Sequence, residues 1–191
     1  MSELVEPDSH GARNSLMAWM PMTDAATAKE AQLKFLSHVK DSVGAAMDEV
    51  GAEHEIIYDK NGTLVIQFIK SDWQCPAYQA GVTKAEDLCR VRAKIFEPHT
   101  AASPAFITGT EEHRYIFSSG HGRKYQRLNL LISDDSTVPQ DKLYATISKH
   151  LPEWTYLYLA PGKVAMEDGE VIGFPYILNE GEAKLFVIPK A

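Results

Sequence analysis

Two short stretches of this chain hold residue types that could perform catalysis. Asp134-Asp135 stands where a predicted strand ends and before a predicted helix. Carboxylates at a strand's C-terminal edge can hold Mg²⁺ or exchange protons, because several loops converge there. The same pair also complements a helix dipole, and no glycine-rich phosphate cradle accompanies it. His121 lies in Ser118-Ser119-Gly120-His121-Gly122-Arg123-Lys124. Glycine on either side could let backbone N–H groups face an anion, with Arg123 and Lys124 beside them. A hairpin turn explains the same glycines through positive φ. A Ser and a His this close in sequence do not make a nucleophile–base pair, and no G-x-S-x-G elbow is present.

Cys75 and Cys89 are the chain's two cysteines and bracket WQCPAYQAGVTKAEDLC. In an oxidising compartment they would close a short, exposed loop as a disulfide; in a reducing one they would be buried thiols. A zinc site needs four ligands, and no histidine lies near either cysteine in sequence. Cys75 as a nucleophile would need a lowered pKa, and Cys89 would quench it on oxidation. His54, His99 and His113 lack metal-ligand spacing. No metal and no cofactor are expected.

Binding residues are easier to nominate. Arg90, Arg92 and Lys94 alternate with Val91, Ala93 and Ile95, which predicts a strand with a cationic outer face. Such a stripe protects a sheet edge, or, with Arg123, Lys124 and Arg127 beside it, recognises an acidic partner or anionic head groups. Trp73 and Tyr78 flank Cys75 and add aromatic anchors of the kind that dominate interfaces. Whether segments 90–94 and 123–127 adjoin is not readable from their order. Residues 90–127 hold seven Lys or Arg against three acids, a local +4 that leaves −11 elsewhere in a chain of net charge −7. That balance argues against a general nucleic-acid binder.

The elements that must position these residues read as follows. RLNLLISDDSTVPQDKLYATISKHLPEWTYLYLA, from Arg127 to Ala160, predicts strand, helix, strand, with Thr137 as cap and Leu143, Tyr144, Ile147 and Leu151 on one helical face. If its strands share a sheet and run parallel, the crossover should be right-handed. A long helix is predicted from Thr27 to Val50, with Thr27 and Glu30 as a capping box and Gly51 as the left-handed stop. Gly44 inside it costs roughly 1 kcal/mol against Ala, which suggests a close neighbour.

EHEIIYDKNGTLVIQFIK predicts a hairpin. A two-residue Asn61-Gly62 turn would put Glu55 and Asp59 on the face of Leu64, Ile66 and Phe68. A three-residue Lys60-Asn61-Gly62 loop gathers the faces better, pairing Tyr58 with Leu64, Ile56 with Ile66 and His54 with Phe68. Residues 97–111 read as a loop with a short strand at Ala105–Thr108. Arg114–Ser118 and Tyr125–Ile132 read as a hairpin. Lys163–Met166, Val171–Phe174 and Lys184–Ile188 read as further strands.

The fold class expected is α+β: a single domain whose mostly antiparallel sheet carries one strand–helix–strand crossover and two main helices. Residues 1–26 are expected to be a flexible or docked leader, with LMAWMPM docking on the core, and 27–191 the domain. No apolar run reaches the roughly 18 residues of a membrane span, and Met1-Ser2-Glu3-Leu4 shows no signal-peptide pattern. Peripheral or lipid-anchored membrane association stays open.

With 45% hydrophobic and 24% charged residues the chain is an ordinary globular one. Its features favour a non-catalytic protein of a periplasm or cell envelope that binds another protein, as an inhibitor or antagonist. Two alternatives belong to other classes. One is a small hydrolase or transferase using Asp134 or Asp135 with His121; the other is a cytoplasmic small-ligand module with two buried thiols.

Overall fold

A computed structural model describes residues 14–70, 89–103, 112–117, 126–131, 140–159, 165–167, 170–172 and 176–185. Two helices pack on a mostly antiparallel sheet, the α+β arrangement the sequence predicts. Ten of the described strands form one sheet. Its main path runs β12 (Glu182–Leu185), β11 (Tyr176–Asn179), β8 (Thr155–Leu159), β1 (Ser15–Pro21), β7 (Gln126–Leu131), β4 (Arg90–Lys94), β3 (Thr63–Lys70), β2 (Glu53–Lys60). β6 (His113–Phe117) and β5 (His99–Ala102) branch from β1, while β9 (Ala165–Glu167) and β10 (Glu170–Ile172) pair with each other.

β1 is the hub. Its first half pairs with β7 at Ser15 and Leu16, and its second half pairs with β6 from Ala18 to Pro21 along the same edge. β8 lies on its other edge. LMAWMPM therefore contributes an interior strand, where the sequence predicts only a docked leader. β6 and β7 do not pair as a hairpin; they succeed one another along β1. β5 and β11 lie where no strand was expected, and the strand foreseen at 105–108 falls outside the described residues. β7 and β8 are each antiparallel to β1 and so parallel to one another, which fits a strand–helix–strand unit with a third strand inserted between its two.

α1 (Ala28–Glu49) begins as its cap predicts. The Thr27 hydroxyl accepts from the Glu30 N–H at 3.1 Å, and the Glu30 carboxylate accepts from the Ala26 N–H at 2.9 Å. Gly51, at φ +71°, ends it. Phe35, Val39, Val43 and Met47 are buried with Leu64, Ile66, Val91, Ala93, Leu128 and Leu157 of the sheet. α2 (Gln140–His150) adds Leu143, Tyr144 and Ile147 to the same cluster, so both helices cover one face of the sheet. The Tyr144 hydroxyl accepts from the Leu130 N–H at 2.9 Å and from Asn14 at 2.8 Å. It thus satisfies a strand amide beyond the two residues of β7 that pair with β1. Burial raises the Tyr144 pKa above the ordinary phenol value.

The helices meet at their C-terminal ends, where Glu49 lies 3.1 Å from Lys149 and 2.8 Å from His150. Those two hydrogen bonds hold the Glu49 carboxyl below its usual range. No described helix is long and apolar enough to cross a membrane.

Among the described residues Gly44 has no tight neighbour. A Cβ built there meets, of these, only the His54 Nε2, at 3.5 Å, an ordinary contact. Gly44→Ala is therefore expected to stabilise the chain by up to about 1 kcal/mol, the helix-propensity difference, measured by urea denaturation. A destabilised variant would mean that the His54 ring cannot give way.

The hairpin corrects the sequence prediction. Asn61 and Gly62 take φ +53° and +71°, a two-residue turn, and Asp59 stands opposite Leu64 with Tyr58 opposite Val65. The expected Tyr58–Leu64 pair is absent, whereas His54–Phe68 and Ile56–Ile66 hold as predicted, with Glu55 opposite Gln67 between them. Turn and faces are reconciled by a bulge at Ile57, between Ile56 and Tyr58, and not by an extra loop residue. Asp59 then lies at the sheet margin, 3.2 Å from Lys40. Ile66 and Phe68 are buried, but Ile56, expected beside them, is 48% exposed.

Candidate binding face

The sheet face away from the two described helices carries Arg90, Arg92, Lys94 and Arg127. β4 turns Val91, Ala93 and Ile95 into the core and sets Arg90, Arg92 and Lys94 on the opposite side. Backbone register decides what lies beside them. Lys94 is the partner of Arg127 on β7, Arg92 of Asn129 and Arg90 of Leu131. Segments 90–94 and 127 thus adjoin, about 5 Å apart across the ladder. On the other side, β3 places Thr63, Val65 and Gln67 opposite Lys94, Arg92 and Arg90. One row continues across six strands as Thr63, Lys94, Arg127, Ser15, Tyr158 and Ile177.

The cations on this face differ in how they are held. Lys94 donates to the Asn61 carbonyl and the Thr63 hydroxyl, both at 2.7 Å, and its ammonium lies 5.3 Å from the Phe96 ring centre. Arg90, Arg92 and Arg127 have no carboxylate within ion-pair distance among the described residues. The Nε of Arg90 and the Nε of Arg127 are shut off from solvent and find no acceptor there either. Three guanidinium groups on one face, with no counter-charge among the described residues, repel each other, and an incoming anion relieves that repulsion.

Apolar surface adjoins the charge. A groove of about 390 Å³ is lined by Ile57, Tyr58, Thr63, Val65, Arg90, Arg92 and Leu131. Leu131 is 43% exposed, although it belongs to an interior strand. Farther along, Trp19 stacks edge-on against Tyr156 at 5.5 Å beside Arg114. Arg114 is committed, donating to the Trp19 carbonyl and pairing with Glu112 at 2.8 Å.

The other predicted site residues lie outside the described residues: Trp73, Tyr78, Cys75, His121, Asp134 and Asp135. Cys89 is buried and is not a free thiol. Among the described residues no group of three His, Cys, Asp or Glu side chains could hold a metal ion. Leu131 and Val65 are members of the face that sequence reasoning did not nominate, and Arg127 is the residue of segment 123–127 that register brings beside 90–94. Only register reveals them, because they come from strands far apart in the chain. Comparison with protein-family models, curated proteins and solved structures finds no match for this chain.

Proposed function

We propose that this protein works by presenting the sheet face opposite its two described helices to an acidic surface on another protein, and not by turning over a substrate. The observation that carries this reading is the junction of Lys94 with Arg127, beside Arg90 and Arg92, with no acid among the described residues to neutralise the three arginines. A fixed positive array on a rigid sheet steers an acidic partner and sets its register. The adjoining Ile57, Tyr58 and Leu131 supply the apolar contact that charge alone lacks.

The Cys75–Cys89 bridge belongs to the same proposal. Cys89 immediately precedes Arg90, so the segment holding Trp73 and Tyr78 rejoins the sheet at the cationic strand. The buried, non-free Cys89 and the presence of one other cysteine in the chain support it. With that bridge goes an oxidising location, a periplasm or cell envelope, and a role as inhibitor or antagonist of the bound protein.

The test is recovery of a partner from the native source, followed by Arg92→Glu and Arg127→Glu. Each reversal should weaken binding at least tenfold, about 1.4 kcal/mol, and binding should weaken with rising ionic strength. A partner retained equally by both variants, or bound independently of salt, overturns the assignment of this face. Two thiols alkylated in native, unreduced protein would remove the bridge and the location with it.

A further inference from the structure

β2 ends the sheet, and among the described residues no strand pairs with its outer edge. At its middle Ile56, Ile57 and Tyr58 are 48%, 45% and 44% exposed. Three consecutive large apolar side chains on an eight-residue edge strand invite pairing, because the strand's outward N–H and C=O groups form a template for another chain. We propose that the occupant is a second copy of this chain, joined by antiparallel β2–β2 pairing about a two-fold axis.

The strand EHEIIYDK is complementary to its own reverse. With the two-fold axis at the Ile56–Ile57 bulges of the two copies, Glu55 meets Tyr58 and His54 meets Asp59 of the second copy, and the reciprocal pairs complete the set. Apolar meets apolar in the centre, and acid meets a phenol or an imidazole outside it. In an unbroken strand this register would fail. Residues five apart point to opposite faces, whereas residues directly opposite in a ladder must share one.

The bulge at Ile57 removes that obstacle. Before it, His54 opposes Phe68 on the helix side and Glu55 opposes Gln67 on the open side. After it, Asp59 opposes Leu64 on the helix side and Tyr58 opposes Val65 on the open side. His54 and Asp59 therefore share one face, and Glu55 and Tyr58 share the other. A feature that usually blunts an edge here brings its self-complementary residues into phase.

Sedimentation of the full chain should show a concentration-dependent rise toward twice the 21.2 kDa of one copy. Tyr58→Glu sets a carboxylate against Glu55 at both symmetric positions and should weaken the dimer at least tenfold. Adding Glu55→Lys should restore it, since opposite charges then face each other; a merely local disturbance would not be rescued. At concentrations low enough that wild type is monomeric, thermal melting of each variant should stay near wild type, because both side chains are exposed. Arg92→Glu and Arg127→Glu should leave the dimer intact, which separates it from the acidic-partner face. A monomer at every concentration up to the millimolar range overturns the proposal. So does a dimer indifferent to Tyr58→Glu, or one that Glu55→Lys fails to restore.

Discussion

Gly62→Ala is expected to destabilise this protein by roughly 3–4 kcal/mol, far more than the conformation of the turn alone explains. Gly62 sits at φ +71°, where any other L residue costs roughly 1–2 kcal/mol. Gly51 has the same φ, but among the described residues nothing lies within 4 Å of a Cβ built there. A Cβ on Gly62 would come within 2.2 Å of the Ile95 carbonyl oxygen and 2.6 Å of the Gln32 side-chain nitrogen. Neither can yield cheaply. The Ile95 N–H donates to the Gly62 carbonyl at 2.7 Å, and the buried Gln32 amide donates to the Ile95 carbonyl at 2.7 Å. Relieving the clash breaks one or both of these bonds, each a buried polar loss of about 1 kcal/mol or more.

The same turn anchors the cationic face through the bond from Lys94 to the Asn61 carbonyl. Gly62→Ala should therefore also weaken the proposed partner binding. Urea denaturation of Gly62→Ala beside Gly51→Ala is the decisive comparison. Equal losses in the two variants would show that crowding contributes nothing at Gly62.

What the sequence discloses here is local, and what it conceals is pairing. The cap at Thr27 and Glu30, the stop at Gly51 and the inward set of β4 depend on residues within a few positions of each other. The hairpin and its pairing from His54 to Ile56 were legible, but its loop length and the pairing of Tyr58 and Asp59 were not. Asn61-Gly62 strongly favours a two-residue turn, and the mismatch of faces was resolved at Ile57 by a bulge with no marker residue. Met, Trp and Pro in LMAWMPM gave no strand pattern. Yet β1 is buried on the helix side at Leu16, Ala18 and Met20, and three strands bind it. The cationic face was half legible. Arg90, Arg92 and Lys94 alternate openly, but their neighbour Arg127 depends on a β4–β7 pairing between strands some thirty residues apart, which no spacing rule encodes.

Phe35→Ala is the second large effect, an expected loss of about 3–5 kcal/mol. Phe35 is fully buried on α1, with its ring 4.5 Å from Phe117 of β6 and 5.6 Å from Trp154, one residue before β8. β6 and β8 lie on opposite edges of β1, so this one side chain bridges both flanks of the hub strand from the helix side. Removing the ring leaves a void that rigid sheet and helix backbones close only in part, which places the cost at the upper end for an aromatic truncation. Phe35→Leu keeps most of the volume and should lose far less.

A second readout distinguishes a cavity from general loosening. His38, one turn on from Phe35, packs edge-on against the same Trp154 at 5.8 Å. Burial is the main reason its pKa lies below the ordinary 6.5, with Lys34 adding to the shift and Asp41 and Asp24 opposing it. A base whose folded pKa is depressed imposes no penalty while neutral in both states. As pH falls below 6.5 the unfolded chain takes up the proton first, and stability declines until the folded pKa is passed. Opening a cavity beside Trp154 admits water near His38, so in Phe35→Ala its titration, followed by NMR, should move back toward 6.5. The acid-side loss of stability should shrink with it. A large loss of stability with an unmoved His38 titration would show that the core recloses around the void and keeps the imidazole desolvated.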